Sequence, residues 1–191
     1  MVAPTATTFG ARVINLSLEF SSNVTASDIP ELIEALRFAR RRGVLVVAAA
    51  GNDATTRRFY PAAFADQPLG SGSGPQVISV GALNPDVGGS KALFSNEGPW
   101  VRAWATGAGV VSTYPTDVRG TAAADHEVPG FGRNSFDPDD FSAGFAVWDG
   151  TSFAAPLAAA ELGKALLQSG DLATVDRETV VKRAWTALGS L

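Results

Sequence analysis

A continuous apolar run, Val44-Leu45-Val46-Val47-Ala48-Ala49-Ala50, restricts the fold of this chain more than any other feature. A strand with one face in solvent alternates apolar and polar residues, but this run contains no polar residue. Such a run is typical of a strand that is buried on both faces, as in parallel sheets covered by helices. The sequence therefore predicts an α/β fold, a three-layer sandwich in which helices flank a parallel β-sheet.

A helix is predicted immediately before this run. Asp28 and Glu31 have the spacing of a capping box, and Pro30 lies in the first turn, where its missing N–H does no harm. Arginines at 40–42 fit the negative end of the helix dipole, and Gly43 ends the helix. An apolar strand at 11–18 precedes this helix. The strand, the helix and the run at 44–50 together are predicted to form a right-handed crossover.

The rest of the chain continues this alternation of strands and helices. A helix is predicted at 151–168, with Pro156 in its first turn, and Asp176 is a candidate cap for a last amphipathic helix. Residues 116–144 are polar, acidic and rich in Gly, Pro and Asp, which is typical of a long surface loop. The remaining predicted strands lie at 11–18, 77–82, 100–104 and 110–112.

Composition excludes several classes of protein. The chain has 191 residues, of which 46% are hydrophobic and 18% charged, enough apolar material for one domain with a core. A net charge of -4 argues against a nucleic-acid-binding protein, and no apolar run is long enough for a membrane span. The absence of Cys excludes disulfides, thiol catalysis and thiolate metal sites, and His126 is the single imidazole.

Two segments place reactive side chains where parallel strands and helices end. Asn52 follows the buried strand through Gly51, and Ser152 lies at the start of the predicted helix at 151–168. A hydroxyl nucleophile beside an amide donor and the free N–H groups of a helix start is what acyl transfer requires. Taken alone, however, a serine at a helix N-cap and a Gly-Asn turn are also common structural features.

Several motifs together resemble those of the subtilisin-like serine proteases, the subtilases. The most specific is Gly150-Thr151-Ser152-Phe153-Ala154-Ala155-Pro156, which resembles the serine motif of that family. The similarity covers most of 13–167 apart from the loop at 116–144. The other motifs, in the order of the family, are Val13-Ile14-Asn15-Leu16-Ser17-Leu18, Val46-Val47-Ala48-Ala49-Ala50-Gly51-Asn52, Tyr60-Pro61-Ala62, Val77-Ile78-Ser79-Val80-Gly81-Ala82, Phe94-Ser95-Asn96 and Gly109-Val110-Val111-Ser112-Thr113.

The resemblance implies a subtilisin-like fold and a role for each matching site residue. Ser152 resembles the nucleophile, and Asn52 resembles the side-chain donor to the oxyanion. A peptide or protein substrate would pair with a segment of the substrate cleft by strand addition. The two segments that resemble the walls of that cleft are Ser17-Leu18-Glu19 and Ala49-Ala50-Gly51.

The resemblance also implies that part of a catalytic domain is missing from this chain. The triad of the family runs in the order Asp, His, Ser, and the motifs of the first two are absent upstream of Val13. His126 lies in the acidic loop without any matching motif, so a surface histidine is a better interpretation than a catalytic base. We therefore expect 1–191 to be a partial subtilase catalytic domain whose partner is the N-terminal half that carries Asp and His. The isolated chain should be nearly inactive, and one edge of the strand at 11–18 should be bare.

Glu19 departs from the pattern of the family, because it stands where subtilases usually have glycine. A carboxylate at this position would crowd or charge the substrate cleft. No cofactor or metal is expected. Subtilases can bind calcium, but Asp137, Asp139 and Asp140 have the spacing of no EF-hand, and a solvated loop is the better interpretation.

Three functions are compatible with the sequence. The first is a serine endopeptidase that forms an acyl-enzyme on Ser152, and the second is a non-catalytic, protease-derived module that binds peptides or acts as a scaffold. The third is an esterase-like hydrolase with a different base. The family implies a secreted or cell-surface location, although residues 1–9 do not have the pattern of a secretory leader.

Overall fold

The computed structural model describes residues 11–20, 23–67, 69, 77–117, 129–130, 141–168 and 179. The chain divides into two compact units, the first formed by Met1–Ala108 with Asp149–Leu191 and the second by Gly109–Trp148. The first unit contains a four-stranded sheet in which all neighbouring strands are parallel. In spatial order its strands are β1 (Val13–Leu16), β2 (Leu45–Ala49), β3 (Ile78–Leu83) and β4 (Ala103–Thr106).

β2 lies at the centre of the core, and every one of its residues is buried. Leu45, Val47 and Ala49 belong to one hydrophobic cluster, whereas Val46 and Ala48 belong to another. The clusters lie on opposite faces of the sheet because successive side chains of a strand point to opposite sides. The prediction of a strand buried on both faces, and with it the α/β class, is confirmed.

Helix α1 (Pro30–Arg41) covers one face of the sheet, where Leu36 and Ala39 pack into the same cluster as Val46. Gly43, with φ of 69°, follows the helix as predicted, because only glycine adopts this left-handed conformation at no steric cost.

The predicted role of Asp28 as the cap of α1 is wrong. The residue before the helix is Ile29, which provides no side-chain cap. Asp28 instead ends a short 3-10 helix, Ala26–Asp28, and its carboxylate accepts hydrogen bonds from the N–H and the hydroxyl of Thr25 at 2.8 and 2.6 Å. The local turn occupies the carboxylate, so it is not available to the helix that follows.

Helix α2 (Thr151–Gln168) covers the other face and has the predicted bounds. Ala154, Ala155, Ala158, Leu162 and Leu166 pack against the cluster that contains Val47. The prediction for Pro156 was wrong in one respect, because this residue lies inside the helix, beyond the first turn. Among the described helices, none has the length and apolar character needed to cross a bilayer.

The second unit contains the antiparallel pair β5 (Val110–Thr113) and β6 (Phe145–Trp148). The rings of Tyr114, Phe141 and Trp148 contact one another beside it. Most of the predicted loop at 116–144 lies outside the described residues. The same is true of His126, of the three aspartates considered for calcium and of the helix expected after Asp176.

β1 lies at one end of the sheet. In the described part of the chain it pairs with β2 alone, through Val13–Leu45 to Leu16–Ala48. Its side chains at 13, 14 and 16 are only half-buried, whereas those of β2 are fully buried. The outer edge of β1 is thus open among these residues, as the sequence led us to expect.

The substitution Leu162→Ala tests the packing of α2 on the sheet. Leu162 is fully buried in the cluster that contains Val47, so truncation leaves a cavity. We expect the free energy of unfolding, measured by urea denaturation, to fall by about 3 kcal/mol. The control Leu167→Ala removes the same atoms from a side chain that is 75% exposed on the same helix, and it should change stability by less than about 0.5 kcal/mol. Equal losses in the two variants would contradict this packing.

Candidate active site

Helix α2 begins directly beyond the carboxyl ends of the parallel strands. The N–H of Gly150 donates to the carbonyl of Gly107 at 2.7 Å, and the N–H of Gly107 donates to the carbonyl of Leu83 at 3.0 Å. Only glycine fits at 107, because a Cβ there would lie 2.8 Å from the carbonyl oxygen of Gly150. These contacts fix the first turn of α2 at the edge of the sheet where ligands of open parallel sheets bind.

The side chain of Asn52 is held in one orientation by Thr151. Its Oδ1 accepts hydrogen bonds from the N–H and from the hydroxyl of Thr151, at 2.8 and 3.0 Å. A backbone N–H can only donate, so the atom in contact with it is the amide oxygen, and the amide nitrogen faces the other way. The Thr151 hydroxyl also accepts from the N–H of Gly51 at 3.0 Å. Among the described residues, the Asn52 amide nitrogen has no protein acceptor.

Ser152 is the second residue of α2 and is half-buried. The N–H groups on either side of it are occupied, that of Thr151 by Asn52 and that of Phe153 by the carbonyl of Gly150. Within the described ranges, the N–H of Ser152 donates to no protein oxygen. This N–H and the Asn52 amide are therefore available donors at the positive end of an 18-residue helix. Such donors can stabilise a developing oxyanion.

Asn96, a residue to which the sequence analysis gave no role, organises the loop after β2. It is fully buried, and its own N–H donates to the carbonyl of Gly51 at 2.9 Å. Its Nδ2 donates to the carbonyl of Ala50 at 3.0 Å, and its Oδ1 accepts from the N–H groups of Asp53 and Thr55 at 3.0 and 3.2 Å. The loop that carries Asn52 is thus fixed by one side chain from a distant segment.

The two predicted walls of the cleft differ in what their backbones can do. The N–H of Ala50 donates to the carbonyl of Val80, and the carbonyls of Ala50 and Gly51 accept from Asn96. In contrast, residues 18–19 make no backbone–backbone hydrogen bond to any other described residue. Within the described part of the chain, residues 18–19 therefore have backbone groups that an extended ligand could pair with, whereas Ala49-Ala50-Gly51 can form a wall.

The structure brings most of the residues predicted for the site together. The hydroxyl of Ser17 donates to the carbonyl of Ser152 at 2.7 Å, so the two segments meet. The Glu19 carboxylate lies against Gly51, since a Cβ at 51 would be 2.3 Å from its Oε2. Ala49 is buried in β2, and Leu18 is 46% exposed beside the site.

The surroundings of Glu19 disfavour the ionised form of its carboxyl. Partial burial raises its pKa above the usual range of a glutamate, and the nearby negative charge of Asp53 raises it further. Glu19 therefore places a carboxyl that resists ionisation beside the predicted cleft.

Comparisons with known proteins agree with these motifs. The model of the family described as the subtilase family matches residues 3–186. The chain is 35% identical over 139 residues to the thermophilic serine proteinase of Bacillus sp. (strain AK1), covering 67% of this chain and 30% of that protein. It is 33% identical over 125 residues to thermitase of Thermoactinomyces vulgaris, covering 63% of this chain and 39% of that protein. The chain thus matches 30% to 39% of the length of these relatives.

Solved structures support the same fold. A protein described as S41 psychrophilic protease superimposes with a TM-score of 0.61 at 26% identity, covering 94% of this chain and 50% of that one. A lanthipeptide protease superimposes with a TM-score of 0.65 at 19% identity, covering 98% of this chain and 64% of that one. The predicted subtilisin-like sandwich is confirmed by these matches.

The substitution Glu19→Gln tests the electrostatics of the cleft. The raised pKa means that the folded chain binds the proton more tightly than the unfolded chain. The free energy of unfolding should therefore fall as the pH rises from the usual glutamate range through the raised pKa. We expect Glu19→Gln to lack this fall, so that its urea midpoint exceeds that of the wild type at neutral pH but not in acid.

The control for this prediction is Glu161→Gln, which removes an exposed carboxylate that pairs with Lys164 on α2. This variant should show no gain at neutral pH. A neutral-pH midpoint for Glu19→Gln at or below the wild-type value would contradict the electrostatic interpretation.

Proposed function

The chain belongs to the subtilase family, and on this premise we propose that it is the serine-bearing part of a peptidase that cleaves peptide bonds through an acyl-enzyme on Ser152. The curated relatives that it matches are named as serine proteinases or subtilisins, which supports the reaction type. The proposed roles are nucleophile for Ser152 and oxyanion donor for Asn52.

The observation that carries the proposal is the fixed orientation of the Asn52 amide. Thr151 binds its oxygen through two hydrogen bonds, so the amide is held in one orientation with its N–H donors turned away from Thr151. The side chain of a surface asparagine without such hydrogen bonds would be free to rotate. Preorganised donors are effective in catalysis because they need no reorganisation when the negative charge develops.

In the proposed reaction the hydroxyl oxygen of Ser152 attacks the carbonyl carbon of the peptide while a base takes the hydroxyl proton. The carbonyl electrons move to oxygen, and the resulting oxyanion accepts hydrogen bonds from the Ser152 N–H and the Asn52 amide. The C–N bond then breaks, the base returns the proton to the leaving amine, and an ester remains on Ser152. Water attacks this ester in the same way and releases the acid.

The base and its carboxylate partner are proposed to come from a segment outside this chain. The chain has one histidine, His126, which has no family motif around it. The curated relatives are much longer than the part that matches, so they contain sequence with no counterpart here. The open edge of β1 among the described residues offers a place where a further strand can pair.

The proposed substrate is an extended peptide. The free backbone groups at 18–19 allow it to pair as an added strand, which gives affinity without a requirement for sequence. The fixed segment Ala49-Ala50-Gly51 then forms the opposite wall for one side chain of the substrate.

The second candidate function is a protease-derived module that binds peptides without cleaving them. It is favoured by the lack of any subtilase histidine motif in the same chain as Ser152. The coding sequence upstream of Met1 distinguishes the two. An aspartate turn followed by a histidine at a helix start favours the peptidase, and their absence favours the module.

Labelling with a serine-directed fluorophosphonate tests the proposed nucleophile. We expect a form of the protein that includes the Asp- and His-bearing segment to be labelled, and Ser152→Ala to abolish the label, because the base activates only this hydroxyl. The chain of 191 residues alone should react many orders of magnitude more slowly, as subtilisin does without its histidine. Labelling that persists in Ser152→Ala, or none in the longer form, would refute the peptidase.

The substitution Asn52→Ala tests the oxyanion role in the same longer form. Removing such a donor lowers kcat by about 10²–10³, a value known from subtilisin itself, with little change in KM. Peptide hydrolysis at saturating substrate measures the effect. The control is Asn84→Ala, which removes an amide that binds Ser90 in an exposed loop of the same unit. A tenfold or smaller loss in Asn52→Ala would argue against the role.

A further inference from the structure

Pro156 leaves a gap in the hydrogen bonding of α2. In an α-helix the N–H of each residue donates to the carbonyl four residues earlier, so the carbonyl of Ser152 would accept from residue 156. Pro156 lies within the helix and has no N–H. The carbonyl that loses its helical donor thus belongs to the residue that carries the proposed nucleophile.

The hydroxyl of Ser17 fills this gap. It donates to the Ser152 carbonyl at 2.7 Å, across a separation of 135 residues in the sequence. The amide of Asn15 donates to the same hydroxyl oxygen at 2.9 Å. Because that oxygen already accepts from Asn15, its own proton is free to point to Ser152. Two successive hydrogen bonds thus connect Asn15 in β1, through Ser17, to the first turn of α2.

The peptide group after Ser152 is consequently held at both of its ends. Its carbonyl is bound by Ser17, and its N–H, which belongs to Phe153, donates to the carbonyl of Gly150 at 3.0 Å. The Cα of Ser152 lies in this peptide plane, so it cannot shift without straining one of the two bonds. The side chain that carries the Ser152 hydroxyl is attached to this Cα, so the place of the hydroxyl depends on where the plane is held.

We propose that Ser17 is a positioning residue for Ser152. The Ser17 hydroxyl takes the place of the backbone N–H that Pro156 lacks, and it binds the Ser152 carbonyl. The proposal deepens the proposed function and rests on it for the catalytic consequence, but the contact itself does not depend on any activity. Ser17 also begins the segment at 17–19 along which a peptide would pair. The substrate strand and the nucleophile would therefore be held in register by one side chain.

A double-mutant cycle at Ser17 and Pro156 distinguishes the positioning role of Ser17 from a general loss of structure. Ser17→Ala removes the hydroxyl, and Pro156→Ala restores a backbone N–H four residues after Ser152. Pro156 is exposed, so the second change creates no cavity. If the proposal is right, the double variant regains what Ser17→Ala loses, because the helix then supplies its own donor. Ser17→Thr keeps a hydroxyl and should behave as the wild type.

The first measurement is the ¹³C resonance of the Ser152 carbonyl in the chain itself, labelled at serine carbonyls. We expect it to move in Ser17→Ala and to return toward the wild-type position in Ser17→Ala/Pro156→Ala. The control Ser27→Ala, at an exposed serine in the short 3-10 helix, should leave it unchanged. An unchanged resonance in Ser17→Ala would overturn the proposal.

The second measurement is peptide hydrolysis by the longer form with its Asp- and His-bearing segment. We expect kcat to fall about five-fold in Ser17→Ala with KM little changed, the size of one neutral hydrogen bond, and to recover in the double variant. A loss that Pro156→Ala does not restore would overturn the proposal. If even the wild type neither hydrolyses peptides nor reacts with fluorophosphonate, the proposed function fails, and the carbonyl resonances still decide whether Ser17 holds Ser152.

Discussion

The burial of β2 on both faces is the constraint on which the rest of the structure depends. Leu45 and Val47 need apolar cover on one side of the sheet, and Val46 needs it on the other. Helices α1 and α2 supply this cover on opposite faces, so the chain must cross the sheet between them. Because the strands are parallel, the loop after β2 and the start of α2 then meet at the same edge. The geometry of the core thus brings Asn52 to Ser152.

At that edge, the polar groups that the fold buries have hydrogen-bond partners within the protein, and the groups without such partners face outward. Every buried side-chain nitrogen and oxygen within the described residues has a hydrogen-bond partner. Asn96 and Thr151 accomplish much of this. The side chain of Asn96 binds three backbone groups of the loop after β2, and Thr151 binds the N–H of Gly51 and the side-chain oxygen of Asn52. The donors that stay unpaired among these residues, on Ser152 and Asn52, are available to a ligand. In a site of this kind, the side chains that hold the loop have all their hydrogen bonds, whereas the donors that would bind a ligand have none within the protein.

The same edge holds all the residues of the candidate site. Serine, asparagine and the two walls all come from the first unit and depend on contacts within it. What the proposed peptidase requires in addition is a base, which needs to reach only the outer side of Ser152. The family to which the chain belongs and its partial coverage of longer relatives fit this division. Glu19, which the sequence analysis expected to charge the cleft, lies beside Gly51 at this edge.

Local patterns in the sequence determined the class of the fold, the bounds of α2 and the positions of Asn52 and Ser152 at the ends of elements. These features depend on burial of neighbouring residues or on the start of a helix, which adjacent residues encode. The prediction for Asp28 was wrong because a 3-10 turn competes for the same carboxylate, a choice between two local structures that spacing alone does not resolve.

Tertiary structure alone decided the contacts that hold the site. Asn96 appeared in the sequence only as part of a motif, and nothing local indicates that its side chain binds Ala50, Asp53 and Thr55, between 41 and 46 residues earlier. Likewise, the sequence by itself showed a proline after Ser152 and a serine after β1, but not that one compensates for the other. Hydrogen bonds between segments 135 residues apart depend on which carbonyl the packed sheet places beside which hydroxyl, and that is a property of three-dimensional packing.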